Sequence, residues 1–213
     1  MSLPELRRVR LTPVARREQL LDLGVRLLST RTLDELSVDV LAEEAGISRG
    51  LLYHYFGNKA DFHRAVVRRA ADEMIRRTRP DPSLPPLERL TASLEAYLGY
   101  VEENYAAYAA LVHGAAGGNE VMREIYEDSR LALTGRIFES IDELGLRDGP
   151  AVRLLTNGWA VMVEETVLSW VPEQQIPRAE LLVLLAAALP ALLAELSGAG
   201  GALAPSAPDN SGY

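Results

Sequence analysis

The stretch SVDVLAEEAGISRGLLYHYFGNKADF, residues 37–62, decides the fold. Ser37 is a helix cap, and Leu41, Ala42 and Ala45 fall on one side of the short helix that it opens. Gly46 permits a tight turn, Ile47 points inward, and Ser48 caps a second short helix. At about 100° per residue, Leu52 and Phe56 share the inner face of that helix. Gly50 and His54 then face the opposite way, with Arg49 and Tyr53 on one flank and Leu51 on the other. Two short helices joined by a glycine turn are the helix-turn-helix pattern, whose second helix enters the DNA major groove.

The outward residues suit that task. Arg49 can donate a bidentate pair to guanine O6 and N7, and Gly50 lets the backbone come close. Ser48, Tyr53 and Tyr55 carry hydroxyls for phosphates, and His54 can reach a base edge or a phosphate. Lys59, the single lysine of the chain, stands at the start of the next helix, where its charge opposes the dipole. Asn58 can cap that helix and Asp61 partly offsets the charge, but a phosphate beside Lys59 turns the cost into a gain. Each side chain alone has a plainer reading: Tyr55 and Phe56 as packing, His54 as a surface histidine. The joint arrangement carries the argument.

Residues 37–62 resemble the DNA-binding signature of the TetR family of transcriptional repressors. The matching parts are the capped entry SVDVLA, the turn AGIS, the helix end LLYHYF, and GNK before the next helix. With the helical stripe Leu20, Leu23, Gly24, Leu27 and Leu28, the likeness covers about residues 16–79. It implies that Arg49, Gly50, Leu51, Tyr53, His54 and Lys59 contact operator bases and phosphates, with Ser37 and Ser48 as caps and phosphate contacts. Thr32 stands where the family often has a glycine, and Leu36 where a threonine is common. Leu51 replaces a small or hydroxyl residue, so its base contact is apolar, as to a thymine methyl.

Charge divides the chain in the same place. Residues 1–79 hold 15 basic against 11 acidic residues, and residues 80–213 hold 7 against 19, for a net charge of −8. A basic module able to meet a polyanion thus precedes an acidic one. With no cysteine, disulfides, thiolate catalysis and cysteine-ligated zinc are excluded. His54, His63 and His113 lack metal-ligand spacing, no catalytic constellation is visible, and no cofactor is expected. The opening MSLPELRRVRL has no apolar core of a signal peptide. The longest apolar run, residues 181–194, has 14 residues interrupted by Pro190, short of the roughly 18–20 that span a bilayer. A cytoplasmic protein with no membrane partner is expected.

Proline placement draws the remaining map. None occurs at residues 14–79 or 87–149, and Pro80, Pro82, Pro85 and Pro86 mark a stop, a linker and a restart. Pro150 suits a first helical turn, and Pro172 and Pro177 bracket a loop. Leu87, Leu90, Leu94, Tyr97 and Val101 form one further helical stripe, and Met122, Ile125, Tyr126, Ser129 and Ala132 another. No hairpin signal appears, so the fold is all-α with about nine helices.

The expected layout is a flexible basic arm at 1–15 and a three-helix DNA-binding domain with a connecting helix at 16–79. A ligand-binding and dimerisation domain follows at 80–197, then a disordered tail at 198–213. Arg7, Arg8, Arg10, Arg16 and Arg17 fall before the first helix and are candidates for a phosphate or minor-groove arm, or for a solvated basic tail. Residues 150–170 and 178–196 are apolar nearly all round, which points to a homodimer interface of four helices, or to the centre of a monomer core. The resemblance implies a small-molecule inducer in the C-terminal domain. Candidates for its contacts are Tyr97, Tyr100, Tyr108, His113, Met122, Tyr126, Trp159 and Met162, all of which also suit core packing. Glu164 and Glu165 are too far apart in angle to share a proton, but one of them needs a polar partner on so apolar a helix. The function expected is a dimeric repressor of a roughly palindromic operator in double-stranded DNA. Two alternatives stand beside it: an activator or architectural DNA binder using the same heads, and a helical enzyme or small-molecule carrier.

Overall fold

The structure, a computed structural model, describes residues 12–28, 30–33, 35–144 and 146–198. Arg7, Arg8 and Arg10 of the expected arm, and the expected tail from residue 199, lie outside these. The described residues hold eight α-helices and no strand: α1 (Pro13–Leu28), α2 (Val38–Ala45), α3 (Arg49–Phe56), α4 (Lys59–Arg77), α5 (Pro86–Ala116), α6 (Glu120–Glu139), α7 (Pro150–Glu173) and α8 (Arg178–Gly198). A single 3-10 turn at Asp142–Leu144 is the ninth helical segment among them.

Two boundaries differ from expectation. Thr12 Oγ1 accepts from Ala15 N–H at 3.2 Å, and Pro13 supplies a first helical residue that has no N–H to satisfy. The helix therefore starts before residue 16, and Arg16 and Arg17 belong to it rather than to an arm. Pro172 lies in the last turn of α7 rather than beside it, and the loop is residues 174–177. Gln174, with φ 48°, ends the helix in the left-handed conformation.

The chain forms two compact units. The first comprises residues up to Arg76 together with Glu103–Ser129. Its main core gathers Leu20, Leu21 and Leu28 of α1, Leu36, Leu41 and Ala42, Leu52 and Phe56 of α3, and Phe62 and Val66 of α4. In α1, Leu20, Leu21, Gly24 and Leu28 are buried, while Leu23 and Leu27 are only half-buried. Gly24 lets α4 close on α1, since a Cβ there would lie 2.7 Å from Val66 Cγ2. A second cluster joins Val67 and Ala71 of α4 to Leu111, Ala115, Met122 and Ile125. Ion pairs lace the rims: Arg69 with Glu18 at 2.9 Å and Asp22 at 2.8 Å, and Arg68 with Asp128 at 2.6 Å. The hydrogen bonds it donates to Asp22 hold the Arg69 guanidinium above its ordinary pKa against a smaller opposing effect of burial.

The second unit comprises Arg77–Glu102 and the chain from Arg130 on. Leu94, Tyr97, Leu98 and Val101 of α5 are buried, but Leu87, one residue past the Pro86 start, is 53% exposed and drops out of the expected stripe. Asn104 departs from helical geometry at φ −128°, ψ 28°, and kinks α5 where the chain leaves this unit. α7 and α8 pack together through Trp159 and Trp170, both buried. Trp159 Nε1–H donates to the Leu185 carbonyl at 3.2 Å and Trp170 Nε1–H to that of Ile176 at 2.8 Å. The loop of four residues between the helices, with Trp170 bonded to its Ile176 and Trp159 to Leu185 further along α8, makes the pair antiparallel. Leu181, Leu185, Leu189 and Leu193 form the buried edge of α8, which continues through Pro190. Arg178 at the start of α8 reaches α5, pairing with Glu95 at 2.8 Å and Glu102 at 3.0 Å. Its guanidinium is held above its ordinary pKa first by the hydrogen bond to Glu95.

Candidate nucleic-acid interface

Short-range chemistry sets the corner made by α2, α3 and the start of α4. Ser37 Oγ accepts from Val40 N–H at 3.1 Å, which starts α2. Gly46, at φ 62° and ψ 39°, ends it, its N–H directed at the carbonyls of Ala42 and Glu43. A side chain at that φ is strained, so the glycine makes the two-helix turn cheap. Ser48 Oγ then accepts from Leu51 N–H at 3.3 Å and starts α3. Gly57, at φ 75°, closes α3 through its N–H to the Tyr53 carbonyl at 2.8 Å. Asn58 caps α4: its Oδ1 accepts from Asp61 N–H at 2.9 Å, while its side-chain N–H donates to Asp61 at 2.6 Å.

Leu52 and Phe56 anchor α3 in the core, at 1% and 6% exposure. The Phe56 ring meets Phe62 edge-on at 5.2 Å between centroids, and the Arg17 guanidinium covers it at 5.2 Å. Upstream, His63 Nε2–H donates to the Leu36 carbonyl at 2.7 Å, tying α4 to the residue before the Ser37 cap. Tyr55 is half-buried and packs against this core, as its packing reading has it.

On the opposite side, Ser48, Arg49, Gly50, Leu51, Tyr53, His54 and Lys59 are all exposed, and Ser37 is half-exposed. The eight residues expected to meet DNA therefore stand on one corner of the fold. Both serine hydroxyls accept in their caps, which leaves each O–H proton available to a phosphate.

The first unit is less basic than its residue count suggests. Arg31 pairs with Glu44, Arg64 with Asp61 and Arg76 with Glu73, besides the Arg68 and Arg69 pairs described above. Arg49 pairs with Asp39 of α2 through Nε. Lys59 is exposed and has no ion pair among the described residues. Asp39 was missed from the sequence, where only its place in the first turn of α2, ten residues before Arg49, hinted at a role.

The expected inducer contacts divide between the two units. Tyr108 and Met122 are buried, Tyr126 half-buried and His113 exposed in the first unit. In the second, Tyr97, Tyr100 and Trp159 are buried, while Met162 is 39% exposed. One turn before Trp159, Thr156 is fully buried and its hydroxyl has no hydrogen-bond partner among the described residues. Glu164 is buried, whereas its neighbour Glu165 is exposed and accepts from Ser169 Oγ at 3.4 Å. An open cleft of about 380 Å³ at the α7–α8 loop is lined by Trp170, Gln174, Gln175, Ile176, Pro177, Arg178 and Glu102, and by none of the eight candidates. No group of acidic, histidine or cysteine side chains among the described residues is arranged to hold a metal ion, and no helix there is long and apolar enough to cross a membrane.

Comparison with known proteins agrees with this geometry. Residues 20–66 match the family described as "Bacterial regulatory proteins, tetR family", and residues 86–192 match "Tetracyclin repressor-like, C-terminal domain". A tetR-family transcriptional regulator from Streptomyces coelicolor has a similar structure, with a TM-score of 0.76 and 34% identity over 86% of this chain and 82% of that one. The HTH-type transcriptional repressor KstR2 of Mycolicibacterium smegmatis is 27% identical over 64% of this chain and 68% of its own length. The HTH-type transcriptional activator FasR of the same organism is 22% identical over 73% of this chain and 72% of its own. A chain that is all-helical over its described residues, with this N-terminal corner and these matches along both units, belongs to the TetR family of transcriptional regulators, and is not an enzyme.

Proposed function

We propose that the chain is a dimeric repressor that binds a roughly palindromic DNA operator and is released by a small-molecule inducer. The observation that carries the reading is the sidedness of α3. Leu52 and Phe56 fix it to the core, and Arg49, Gly50, Leu51, Tyr53 and His54 face solvent beside Lys59, which has no ion pair among the described residues. Two such helices in successive major grooves need centres about 34–36 Å apart, one turn of DNA, which a two-fold dimer provides. Exposed apolar side chains support a dimer through α7 and α8: Leu154 at 73%, Val161 and Met162 on α7, with Val183 at 66%, Leu184 and Leu192 on α8. Facing their copies, these stripes make a four-helix interface.

Release follows when an inducer binds one dimer geometry better than the other and shifts the population away from the operator-competent spacing. Tyr97, Tyr100 and Trp159 are the proposed contacts in the second unit, where the Thr156 hydroxyl, without a partner among the described residues, suits a polar group of a ligand. Such a protein works in the cytoplasm, where its DNA is.

Gel-shift titrations on DNA upstream of its own gene test the reading. Salt-sensitive binding to a palindrome is expected, weakened about tenfold or more by Arg49→Ala and by a smaller factor by Lys59→Ala, with a shallower salt slope. Unchanged affinity in both variants sinks the mechanism. The likeness to a named activator favours a second reading, activation through the same contacts. Transcription of the target after gene deletion separates them, rising for a repressor and falling for an activator.

A further inference from the structure

Asp39 and Arg49 form an ion pair across the helix-turn-helix, with a carboxylate of the first turn of α2 against a guanidinium at the start of α3. Their side chains are 55% and 69% exposed, so burial does not force the contact, and an exposed pair adds little to stability. Its geometry bears on recognition instead. The carboxylate faces Nε, the inner edge of the guanidinium. An arginine reads guanine by aiming two N–H groups at O6 and N7. With a carboxylate against Nε, a side-on pair that uses Nε–H is blocked, and the bidentate pair left for a base takes one N–H from each of Nη1 and Nη2, end-on.

A second effect acts on the competing target. Every DNA sequence offers phosphates, and a lone guanidinium on the binding face is drawn to them first. The Asp39 carboxylate cancels the net charge of the pair and itself repels phosphate. The long-range pull of the backbone weakens, while the directional hydrogen bonds to a guanine edge remain available.

We propose that Asp39 is a specificity-determining residue, which holds Arg49 end-on toward a base edge and keeps it off the phosphates. This rests on the reading of Arg49 as a base contact. Full-length protein is titrated at several salt concentrations against operator duplexes carrying each base pair at each position of one half-site, and against unrelated DNA. Asp39→Asn is expected to cut the preference for guanine at one position about tenfold or more. It also tightens binding to unrelated DNA and steepens the plot of log K against log salt by about 0.9, one added phosphate contact. Glu44→Gln removes an equal charge from α2 at a side chain that pairs with Arg31 rather than Arg49, and keeps the wild-type base preference. Arg49→Ala flattens the preference at the same position.

If Arg49→Ala flattens that preference and Asp39→Asn leaves it intact, the role given to Asp39 is overturned while Arg49 remains a base contact. If Arg49→Ala leaves every position unchanged, the reading of Arg49 falls and the inference with it. Thermal melting accompanies each variant, and Asp39→Ser serves the same comparison if Asp39→Asn does not fold.

Discussion

Thr32 and Glu35 close a small loop on each other between α1 and α2. Thr32 N–H donates to Glu35 Oε2 at 2.8 Å, and Glu35 N–H donates to Thr32 Oγ1 at 3.4 Å. Asp81 does the same work after α4, accepting from Ser83 N–H at 2.9 Å and from Ser83 Oγ–H at 2.7 Å. These bonds to the ionised form hold both carboxyls below their ordinary pKa, Glu35 chiefly through the Thr32 backbone and Asp81 chiefly through the Ser83 hydroxyl. A depressed folded pKa adds stability above the unfolded pKa, and that stability is lost as pH falls through the folded value. Melting curves taken between about pH 5 and pH 3 should therefore show wild type losing more stability than Glu35→Gln/Asp81→Asn. The effect is small, because both groups are exposed to solvent. At this scale the caps Ser37, Ser48 and Asn58 were legible, since a cap reaches an N–H only two or three residues ahead. The Asp39–Arg49 pair was not, because it depends on how two separate helices cross.

Gly24 and Gly135 show how one residue type plays opposite parts in two helices. A Cβ on Gly24 of α1 meets the stiff, branched Val66 of α4 at 2.7 Å, whereas a Cβ on Gly135 of α6 meets nothing within 4 Å. Alanine gains roughly 1 kcal/mol of helix propensity over glycine at either place. At residue 24 the overpacking cost of about 1–3 kcal/mol outweighs it. Chemical denaturation is expected to show Gly24→Ala less stable than wild type and Gly135→Ala more stable by about 0.5–1 kcal/mol. Helix ends were largely legible through their prolines and glycines, and Thr12-Pro13 carries a start signal that places α1 earlier than residue 16. The bend at Asn104 has no proline or glycine at its site, so local sequence does not announce it.

At the scale of the whole molecule the exposed stripes of α7 and α8 are the feature with the largest consequence. Leu154 at 73% and Leu184 at 55% exposure support no core of their own chain, so charges placed there leave the subunit folded. Leu154→Glu/Leu184→Glu should sediment as a monomer at concentrations where wild type is a dimer, and should lose the operator although α3 is untouched. A wild-type monomer would sink the dimer reading. The all-round apolarity of these helices was readable from the sequence, but the division into a face on the core and a face on solvent needed the packing. The inducer contacts stay the least legible, because tyrosine, tryptophan and methionine look the same whether they fill a core or line a pocket. The chain has no thiol and a single ε-amine, and that amine is exposed on Lys59, the first residue of α4. A lysine-specific protease thus has one bond to cut. An amine-directed label has one side chain to mark, and it stands at the corner proposed to face DNA.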